Sequence, residues 1–553
     1  MPITDILEQN HRLYGDEVAL VELNPEREAV RRVTWKEYAL IEPESTRFYR
    51  REISWNVFDE KANRVANMLL AWGVKKGDKV AILLMNCLEW LPIYFGILKT
   101  GALAVPLNFR YTTAEIRHCL ELAEVSVLIF GPEFVGRVEE LTKSTRAGRL
   151  LIYCGSSDAR HLDTPTFAEE YQELTADCSS APPGISLSDN DLAAIYFSSG
   201  TTGFPKAILH RHQALLHACH VEQAHHGQTH NDVFLCIPPL YHTGAKMHWF
   251  GSFLMGGKGV LLKGTEPRHI LEAVSREHCS IVWLLVPWAS DILTALDAGE
   301  LKLADFSLEQ WRLMHIGAQP VPRSLVQRWL RYFPHHQYDT NYGLSESTGP
   351  GCVHLGLQNT HKVGAIGTPG LGYQCKIVDD NNAEVTLGEV GELCVKGDGV
   401  MLGYFRDEKA TAAALRDGWL HTGDMAEQDA DGFIFLVDRK KDVIICGGEN
   451  IYPVQVEDYL HGHPSLQDVA VIGLPDPRLG EIVAAIIQLK PEVEANDATE
   501  RDLIDFCTGL PRYKRPRKLI FADVPRNATG KIEKPRLREH YGAAHLVETQ
   551  NLS

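Results

Sequence analysis

The stretch Tyr196-Phe-Ser-Ser-Gly-Thr-Thr-Gly-Phe-Pro-Lys206 interleaves two glycines with four hydroxyl side chains and ends on a lysine. It overlaps the end of DLAAIYF (191–197), an apolar run typical of a buried strand. Glycines let backbone N–H groups approach a ligand, hydroxyls donate to its oxygens, and lysine neutralises negative charge. A mobile glycine-rich turn is the simpler alternative, and no Gly-Lys-Ser/Thr triplet makes this a Walker A loop. The predicted phosphate-binding residues are Ser198, Ser199, Gly200, Thr201, Thr202, Gly203 and Lys206.

The composition is that of a globular protein. Of the 553 residues, 44% are hydrophobic and 23% are charged, which excludes disordered and collagen-like chains. The 55 basic and 72 acidic residues give a net charge of −17. An acidic surface repels phosphate backbones, so we expect no nucleic-acid partner. Local loops and helix ends can still bind a small anion.

The cellular location is predicted from cysteine usage and hydropathy. Twelve cysteines without a C-x-x-C pair argue against a disulfide scaffold and a structural zinc site, and fit a reducing compartment. The first seventeen residues lack the basic flank and apolar core of a signal peptide. The most apolar long stretch, 87–107, contains Glu89 and Lys99 and is predicted to be buried core. We expect a cytoplasmic protein without a membrane span; a homodimer is compatible with the sequence.

Helical and strand patterns alternate along the chain. Apolar residues at helical spacing occur over 58–73 and 322–334, and short apolar runs occur at 80–85, 125–131, 280–287 and 311–317. This alternation predicts layered α/β sheets, whose ligands lie beyond the strand ends. The charge-rich stretch 24–52 is predicted to be a surface loop.

A domain boundary is predicted where DRKK follows the strand-like FIFLV. Beyond this point the alternation restarts on a smaller scale. We predict a large N-terminal domain at 1–437, a hinge at 438–441 and a small α+β domain at 442–553.

Histidines concentrate at 210–220 and at His225 and His226. Histidines three or four residues apart on a helix can bind a metal. Because no acidic or thiolate residues accompany them at regular ligand spacing, we predict an exposed helix surface.

The pattern S-S-G-T-T-G-x-P-K resembles the phosphate-loop signature of the adenylate-forming superfamily of acyl-CoA synthetases, luciferases and peptide-synthetase adenylation domains. Further stretches resemble motifs of that family in the same order, from about residue 55 to 538. They are PLYHTG (239–244), HIGAQP (315–320), NYGLSE (341–346), GELCVKGDGVMLGY (391–404), GWLHTGD (418–424), DRKKDVIICGGENIYPVQVE (438–457) and PRNATGKI (525–532). The resemblance implies the adenylate-forming fold, with a mobile C-terminal domain.

The resemblance implies a nucleotide site. Asp424 would accept both ribose hydroxyls, Arg439 would lie beside the ribose and phosphate, and Tyr342 would stack on adenine. An exposed turn aspartate, a surface ion pair and a core tyrosine are the plainer alternatives. The remaining implied ATP-binding residues are Gly317, Ala318, Gln319, Asn341, Gly343 and Ser345. Ser345 stands where many relatives have threonine.

The resemblance also implies a magnesium ligand and an acyl pocket. Glu346 would bind Mg²⁺, which needs only one or two protein carboxylates besides phosphate oxygens and water. His242 would lie at the acyl-carboxylate end of a pocket that includes Lys246, Gly317 and Gly343; a buried structural histidine is the alternative.

Two lysines in the C-terminal third are implied to act through domain movement. Lys531 would stabilise the charge that grows on the bridging oxygens during adenylation, although a solvated lysine is the alternative. Lys441 falls at the family's hinge position. Rotation at Lys441 would move Lys531 away from the active site and bring Gly447 and Gly448 towards the path of the CoA thiol.

The histidine segment narrows the range of acids that could be the substrate. It contains no acidic residue that could hold a substrate ammonium group, and amino-acid substrates are therefore disfavoured. Lys246 would need either a pocket-wall carboxylate or a route to solvent, or else it pairs with a second polar group of the substrate.

We predict an acid–CoA ligase that uses ATP, Mg²⁺ and coenzyme A to activate a fatty, aryl or alicyclic acid as acyl-AMP. The alternatives are an acyl-AMP ligase that loads a carrier protein, a luciferase-like enzyme that oxidises its adenylate, and a non-enzymatic nucleotide-binding regulator.

Replacing Lys531 with alanine should slow adenylation by roughly 100-fold or more, because the developing negative charge loses its ammonium partner. Thioester formation from pre-made acyl-AMP should continue at the wild-type rate. Pyrophosphate release measures the first step, and acyl-CoA formation from synthetic acyl-AMP measures the second. Equal loss of both steps, or of neither, would contradict the assigned role.

Overall fold

A computed structural model describes residues 1–25, 49–143, 149–155, 164–198, 205–317, 321–447, 449–526 and 532–550. Its α-helices are α1 Thr4–Tyr14, α2 Trp55–Ala71, α3 Trp90–Lys99, α4 Thr113–Leu122, α5 Val135–Thr142, α6 Tyr171–Ala176, α7 His212–His226, α8 Thr243–Leu254, α9 Pro267–Glu277, α10 Val286–Asp297, α11 Arg323–Tyr332, α12 Glu408–Ala414, α13 Pro453–Leu460, α14 Asp497–Phe506 and α15 Lys534–Gln550. Helix α2 starts after Ser54, whose hydroxyl accepts the Val57 N–H, and it buries Phe58, Ala62 and Val65.

The strands include fully buried apolar runs such as IVWLL in β12, as expected where both sheet faces are covered. They are β1 Val18–Asn24, β2 Tyr49–Ser54, β3 Lys79–Leu83, β4 Leu103–Pro106, β5 Val127–Phe130, β6 Leu150–Tyr153, β7 Glu169–Glu170, β8 Leu192–Ser198, β9 Lys206–Arg211, β10 Val233–Cys236, β11 Lys258–Leu262, β12 Ile281–Leu285, β13 Leu313–Gly317, β14 Gln337–Gly343, β15 Pro350–Leu355, β16 Ala365–Pro369, β17 Tyr373–Val378, β18 Gly391–Gly397, β19 Gly403–Tyr404, β20 Leu415–Arg416, β21 Trp419–Gln428, β22 Ile434–Arg439, β23 Ile444–Cys446, β24 Glu449–Ile451, β25 Leu466–Asp476, β26 Gly480–Leu489 and β27 Lys518–Phe521.

The described strands form sheets of fourteen, eight and five strands. The first has the order β17-β18-β21-β22-β16-β15-β14-β13-β12-β10-β11-β1-β2, with β20 beside β21. Its strands are parallel from β1 through β11, β10, β12 and β13 to β14, and antiparallel from β14 through β15, β16, β22, β21 and β18 to β17. The second sheet has the order β19-β9-β8-β4-β3-β5-β6-β7.

The third sheet, β24-β23-β26-β25 with β27 beside β26, draws its strands from residues after the predicted hinge at 438–441. Strand β22, which ends at Arg439, belongs to the first sheet. The limits of the two domains stay a prediction.

Helices α3 and α8 lie between the two larger sheets. One buried apolar cluster contains Phe95 of α3 and Phe250 of α8, together with Ile82 of the second sheet and Phe234 of the first. The rings of Phe95 and Phe250 are 6.0 Å apart. Burial of this cluster stabilises the layered arrangement through the hydrophobic effect.

The predicted α/β class is confirmed. The segments expected as strands overlap β3, β5, β12 and β13, and the two expected helices overlap α2 and α11. The prediction of a surface loop at 24–52 is wrong at its end, because Tyr49–Ser54 is a strand paired with β1. Residues 26–48 lie outside the described part of the chain.

A buried ion cluster fixes β2 against the start of α3. The Arg51 guanidinium donates to Glu22 at 2.6 Å and to Glu89 at 2.8 Å, and both carboxylates are fully buried. Lys263 lies 3.3 Å from Glu22. Burial opposes ionisation of Glu22, but attraction to Arg51 and Lys263 lowers its pKa to about 2. The Leu88 N–H also donates to Glu22, so the cluster orients the turn that precedes α3.

Among the described helices, none combines the length and the apolar character needed to cross a bilayer. The twelve cysteines are all free thiols.

Replacing Arg51 with methionine should lower the free energy of unfolding by about 3–5 kcal/mol, because Glu89 and Glu22 stay buried without their shared cation. Chemical denaturation followed by tryptophan fluorescence measures the change. The matched control is Arg12→Met, which removes an exposed arginine that pairs with Glu8 at 3.4 Å. We expect the control to change stability by no more than about 0.5 kcal/mol. Equal stability of the two variants would contradict the role of Arg51.

Candidate active site

The predicted phosphate loop joins two strands of a hairpin. Ser198, the last residue of β8, faces Lys206, the first residue of β9. The five predicted residues between them, Ser199, Gly200, Thr201, Thr202 and Gly203, lie outside the described residues. The ladder therefore places Ser198 and Lys206 side by side at one end of the second sheet.

Lys206 and Glu346 both contact the side chain of Tyr404. The Lys206 ammonium is 4.9 Å from the centre of the Tyr404 ring, and the Tyr404 hydroxyl donates to Glu346 at 3.0 Å. Strand β19 carries Tyr404 and pairs with β9, so backbone pairing fixes this approach. Lys206 and Glu346, which come from separate motifs, are thus brought together by one tyrosine: the ammonium contacts its ring and the carboxylate contacts its hydroxyl. Tyr404 was quoted within a family motif but was not predicted as a site residue.

Asp424 links three strands. The Tyr342 hydroxyl of β14 donates to one of its oxygens at 2.5 Å, and Arg439 of β22 lies 2.9 Å from the other. Asp424 and Arg439 are register partners in β21 and β22. Burial, and then the Asp424 charge, raises the pKa of Tyr342, and Asp424 also raises the pKa of Arg439. The carboxylate is 4% exposed, so these two donors compensate its burial.

The imidazole of His210 contacts two residues of the turn that carries Glu346. Burial lowers the pKa of His210 to about 4, so its imidazole is neutral at pH 7. Its Nε2 donates to the Ser345 carbonyl at 2.8 Å, and its Nδ1 lies 2.9 Å from the hydroxyl of Thr348, which donates to the Gly399 carbonyl at 2.7 Å. Thr348 has a positive φ of 62°, which is strained for a β-branched residue. The histidine holds this strained turn, and no sequence signal indicated it.

Helix α8 begins beside the same turn. His242 is its N-cap residue, and the hydroxyl of Thr243 lies 3.2 Å from that of Ser345. The predicted acyl-side and nucleotide-side motifs therefore meet at Ser345.

Lys246 is fully buried. Among the described residues it has no carboxylate partner and no route to solvent, so both of these expectations are wrong. Its ammonium donates to the carbonyls of Leu240 at 2.5 Å and His242 at 3.1 Å. It also lies within 6 Å of three ring centres, those of Trp90, Tyr94 and Tyr196. Burial lowers the pKa of Lys246 well below its usual value. The carbonyls and ring faces compensate its desolvation.

Aromatic side chains border Gly317 at the end of β13. A Cβ added at Gly317 would lie 3.3 Å from the indole nitrogen of Trp283, and one at Gly244 would lie 3.3 Å from the same ring. The ring centres of Trp283 and His248 are 4.3 Å apart. Neither Trp283 nor His248 was predicted as a site residue, because only the fold brings β12 and α8 beside β13.

Some predicted residues lie apart from these contacts. Gly343 is exposed at the end of β14, Lys441 is exposed after β22, and Gly447 donates its N–H to the Leu479 carbonyl. Ala318, Gln319, Gly448 and Lys531 lie outside the described residues.

The prediction of an exposed helix surface is wrong at both ends of the histidine-rich segment, because His210 and His212 are fully buried as well. His225 and His226 are both largely buried, and both bond to Asp339 of β14. Asn341, on the same strand, donates to Glu222 of α7 at 3.0 Å.

Two family models match the chain. The model of the AMP-binding enzyme matches residues 21–405, and that of the AMP-binding enzyme C-terminal domain matches residues 455–531.

Curated relatives and solved structures resemble nearly the whole chain. A feruloyl-CoA synthase of Amycolatopsis sp is 34% identical over 89% of this chain and 94% of its own. A long-chain-fatty-acid–CoA ligase of Mycobacterium tuberculosis is 31% identical over 87% of this chain and 92% of its own. The crystal structure of an anthranilate CoA ligase with anthranoyl-AMP has a TM-score of 0.85 and 26% identity, and covers 99% of this chain and 98% of its own.

Replacing Asp424 with asparagine should lower kcat/KM for ATP roughly 10- to 100-fold, the range for hydrogen bonds to a charged group. The amide turns an N–H group towards Tyr342 or Arg439, both of which are donors. Initial rates at varied ATP concentration measure the effect. Asp380→Asn is the control, because Asp380 is exposed and pairs with Lys440 at 2.8 Å. An Asp424→Asn variant as efficient as the Asp380→Asn control would exclude the contact with ATP.

Proposed function

This chain belongs to the AMP-binding enzyme family, in its acyl-CoA ligase branch, and we infer that it is an ATP-dependent acid–CoA ligase. A carboxylate attacks the α-phosphorus of ATP, which gives acyl-AMP and pyrophosphate. The CoA thiol then attacks the acyl carbon, which gives acyl-CoA and AMP. The observation that carries the inference is the contact of Tyr342 and Arg439 with the two oxygens of Asp424, since three separate family motifs meet there.

We propose that Asp424 binds the ribose of ATP. Each carboxylate oxygen has two lone pairs, and Tyr342 and Arg439 each use one. The remaining lone pairs can accept the two ribose hydroxyls, and Arg439 stays close enough to attract the α-phosphate. The burial of Asp424 supports this role, because a fixed and partly desolvated carboxylate binds hydroxyls more strongly than one in water.

Lys206 and Glu346 are proposed to act on the phosphates. Lys206 ends the segment implied to bind phosphate and would neutralise the β- and γ-oxygens. Glu346 fits Mg²⁺, because this ion takes one or two carboxylates and completes its shell with phosphate oxygens and water. Bound Mg²⁺ would neutralise the charge on the leaving pyrophosphate. Tyr404 and His210 keep Glu346 and its turn in position.

His242 is proposed to lie at the carboxylate end of the acid, as the N-cap residue of α8 beside Ser345. Lys246 donates to the carbonyl of His242 and so holds this end of the helix. Its contacts favour a positioning role over recognition of a second polar group.

The C-terminal residues complete the proposal. Lys531 would stabilise the transition state of adenylation, and rotation at Lys441 would bring Gly447 and Gly448 towards the CoA path. The relatives named as CoA ligases favour CoA over a carrier protein as the acceptor. A cytoplasmic location is supported by the twelve free thiols, and a homodimer stays a prediction.

We propose that the substrate is an acid with a ring. The indole of Trp283 borders Gly317 and Gly244, and the imidazole of His248 borders Gly244; flat rings would stack on these side chains. The names of the feruloyl-CoA synthase and the anthranilate CoA ligase also favour a ring acid. A fatty acid is the second candidate, favoured by the name of the Mycobacterium tuberculosis relative.

The test is a panel of acids with ATP, Mg²⁺ and CoA: benzoate, cinnamate, cyclohexanecarboxylate, octanoate, palmitate and a dicarboxylate. We expect kcat/KM for the best ring acid to exceed that for palmitate roughly tenfold or more, as one well-filled pocket allows. AMP release and the mass of the acyl-CoA product are measured.

The outcomes separate the two parts of the proposal. A higher kcat/KM for palmitate would contradict the ring acid but keep the ligase. Pyrophosphate exchange without any thioester would contradict CoA as the acceptor and favour a carrier protein. Reactions without CoA are the control and should yield no thioester.

A further inference from the structure

A cluster of six largely buried ionisable side chains lies behind Asn341. Its members come from four elements that are distant in sequence: α7, α8, β13 and β14. They are Glu222, His225, His226, His248, His315 and Asp339. Of these residues, only His248 was proposed to contact the acid, and none was proposed to bind ATP. We call this group the histidine cluster.

Asp339 holds two imidazoles of the histidine cluster through one oxygen. That oxygen bonds to Nε2 of His226 at 2.8 Å and also to Nδ1 of His315, while the second oxygen bonds to His225. One nitrogen of each ring is thereby fixed by a carboxylate. The other nitrogens, Nδ1 of His226 and Nε2 of His315, are not bonded to Asp339. This carboxylate–histidine arrangement is the one that orients imidazoles towards metal ions in proteins.

Glu222 presents a carboxylate oxygen to the same two rings. Its Oε2 lies 3.3 Å from Nδ1 of His226, and one potential ligand atom of each of Glu222, His226 and His315 lies within 4.8 Å of the others. Two donors bound to one tetrahedral zinc ion at about 2.0–2.1 Å are separated by about 3.3–3.4 Å. The observed separation of Glu222 and His226 has this value.

Hydrogen bonding leaves part of the cluster unpaired. Oε1 of Glu222 accepts from Asn341 and is 2.6 Å from Nδ1 of His248. Within the described ranges, Oε2 of Glu222 and Nε2 of His315 have no hydrogen-bond partner although both are fully buried. The amide of Gln228 reaches Nδ1 of His226 only at 3.3 Å. Buried polar atoms normally have partners, so these atoms indicate a further ligand.

Two carboxyl groups of the histidine cluster, those of Glu222 and Asp339, are fully buried. Glu222 lies within 3.3 Å of His226 and His248, and Asp339 bonds to His225, His226 and His315. Two buried negative charges need either protonated imidazoles or a divalent ion.

We propose that a divalent transition-metal ion of the Zn²⁺ type binds to a carboxylate oxygen of Glu222 and to one ring nitrogen each of His226 and His315. Asp339 acts behind both imidazoles as the group that orients them. Two imidazoles and one carboxylate suit Zn²⁺ and its neighbours better than Mg²⁺ or Ca²⁺, which prefer oxygen ligands. The ion would fix Asn341 through Glu222. The site is separate from the proposed Mg²⁺ ligand Glu346 and does not depend on the proposed function.

The test uses the full chain without an affinity tag, stripped with a chelator and titrated with Co²⁺ as a spectroscopic probe for Zn²⁺. Wild-type protein should develop visible ligand-field absorption that saturates at one equivalent and is displaced by Zn²⁺. Glu222→Gln and His315→Gln should each weaken Co²⁺ binding at least tenfold. Asp339→Asn should weaken it roughly 10- to 100-fold, as loss of an orienting carboxylate does.

The matched control is His220→Gln, because His220 is exposed on the same helix as Glu222 and His226. It should bind Co²⁺ as tightly as the wild type. Circular dichroism checks that each variant is folded, and Zn²⁺ should raise the thermal midpoint of the wild type but not that of Glu222→Gln. Absence of stoichiometric binding by the wild type would overturn the proposal and assign the charge balance to protonated histidines. Equally tight binding by Glu222→Gln and His315→Gln would overturn it as well.

Discussion

The sharing of the Asp424 carboxylate between Tyr342 and Arg439 is the contact on which the candidate active site depends. It joins β14, the last parallel strand of the first sheet, to β21 and β22 of the antiparallel half. A slip of one residue between β21 and β22 would turn Arg439 to the opposite face. The register of β21 and β22 therefore determines the geometry of the site. Lys440 and Lys441 follow directly after the end of β22.

Buried charge is compensated in a different way at each place where it occurs around this site. Arg51 neutralises two glutamates that orient the start of α3. Lys246 is surrounded by carbonyls and aromatic faces, and no carboxylate of the described residues bonds to it. In the histidine cluster, imidazoles face two carboxylates. The second and third arrangements lie next to segments that carry proposed substrate contacts, where rigid walls limit the reorganisation that binding would otherwise require.

Much of the fold and part of the site could be predicted because local patterns report them directly. Apolar runs predicted β3, β5, β12 and β13. The motifs that resemble those of the family predicted Tyr342, Asp424 and Glu346 as site residues. His210, Trp283 and Tyr404 were missed, since single residues of ordinary type carry no spacing signal. The burial of His225 and His226 was predicted wrongly for a related reason: their acidic partner Asp339 lies more than a hundred residues further along the chain.

By itself the sequence determined the α/β class, the order of the motifs and the kind of chemistry, because these follow from residue type and short-range spacing. Only the tertiary structure decided which charged and polar side chains lie next to one another. Glu222 meets His315 and Asn341 only because β13 and β14 pair in parallel and α7 packs against them. Lys246 loses its contact with solvent only because α3 and β8 enclose α8. Desolvation and electrostatic pairing depend on distances in space, which a linear pattern does not contain.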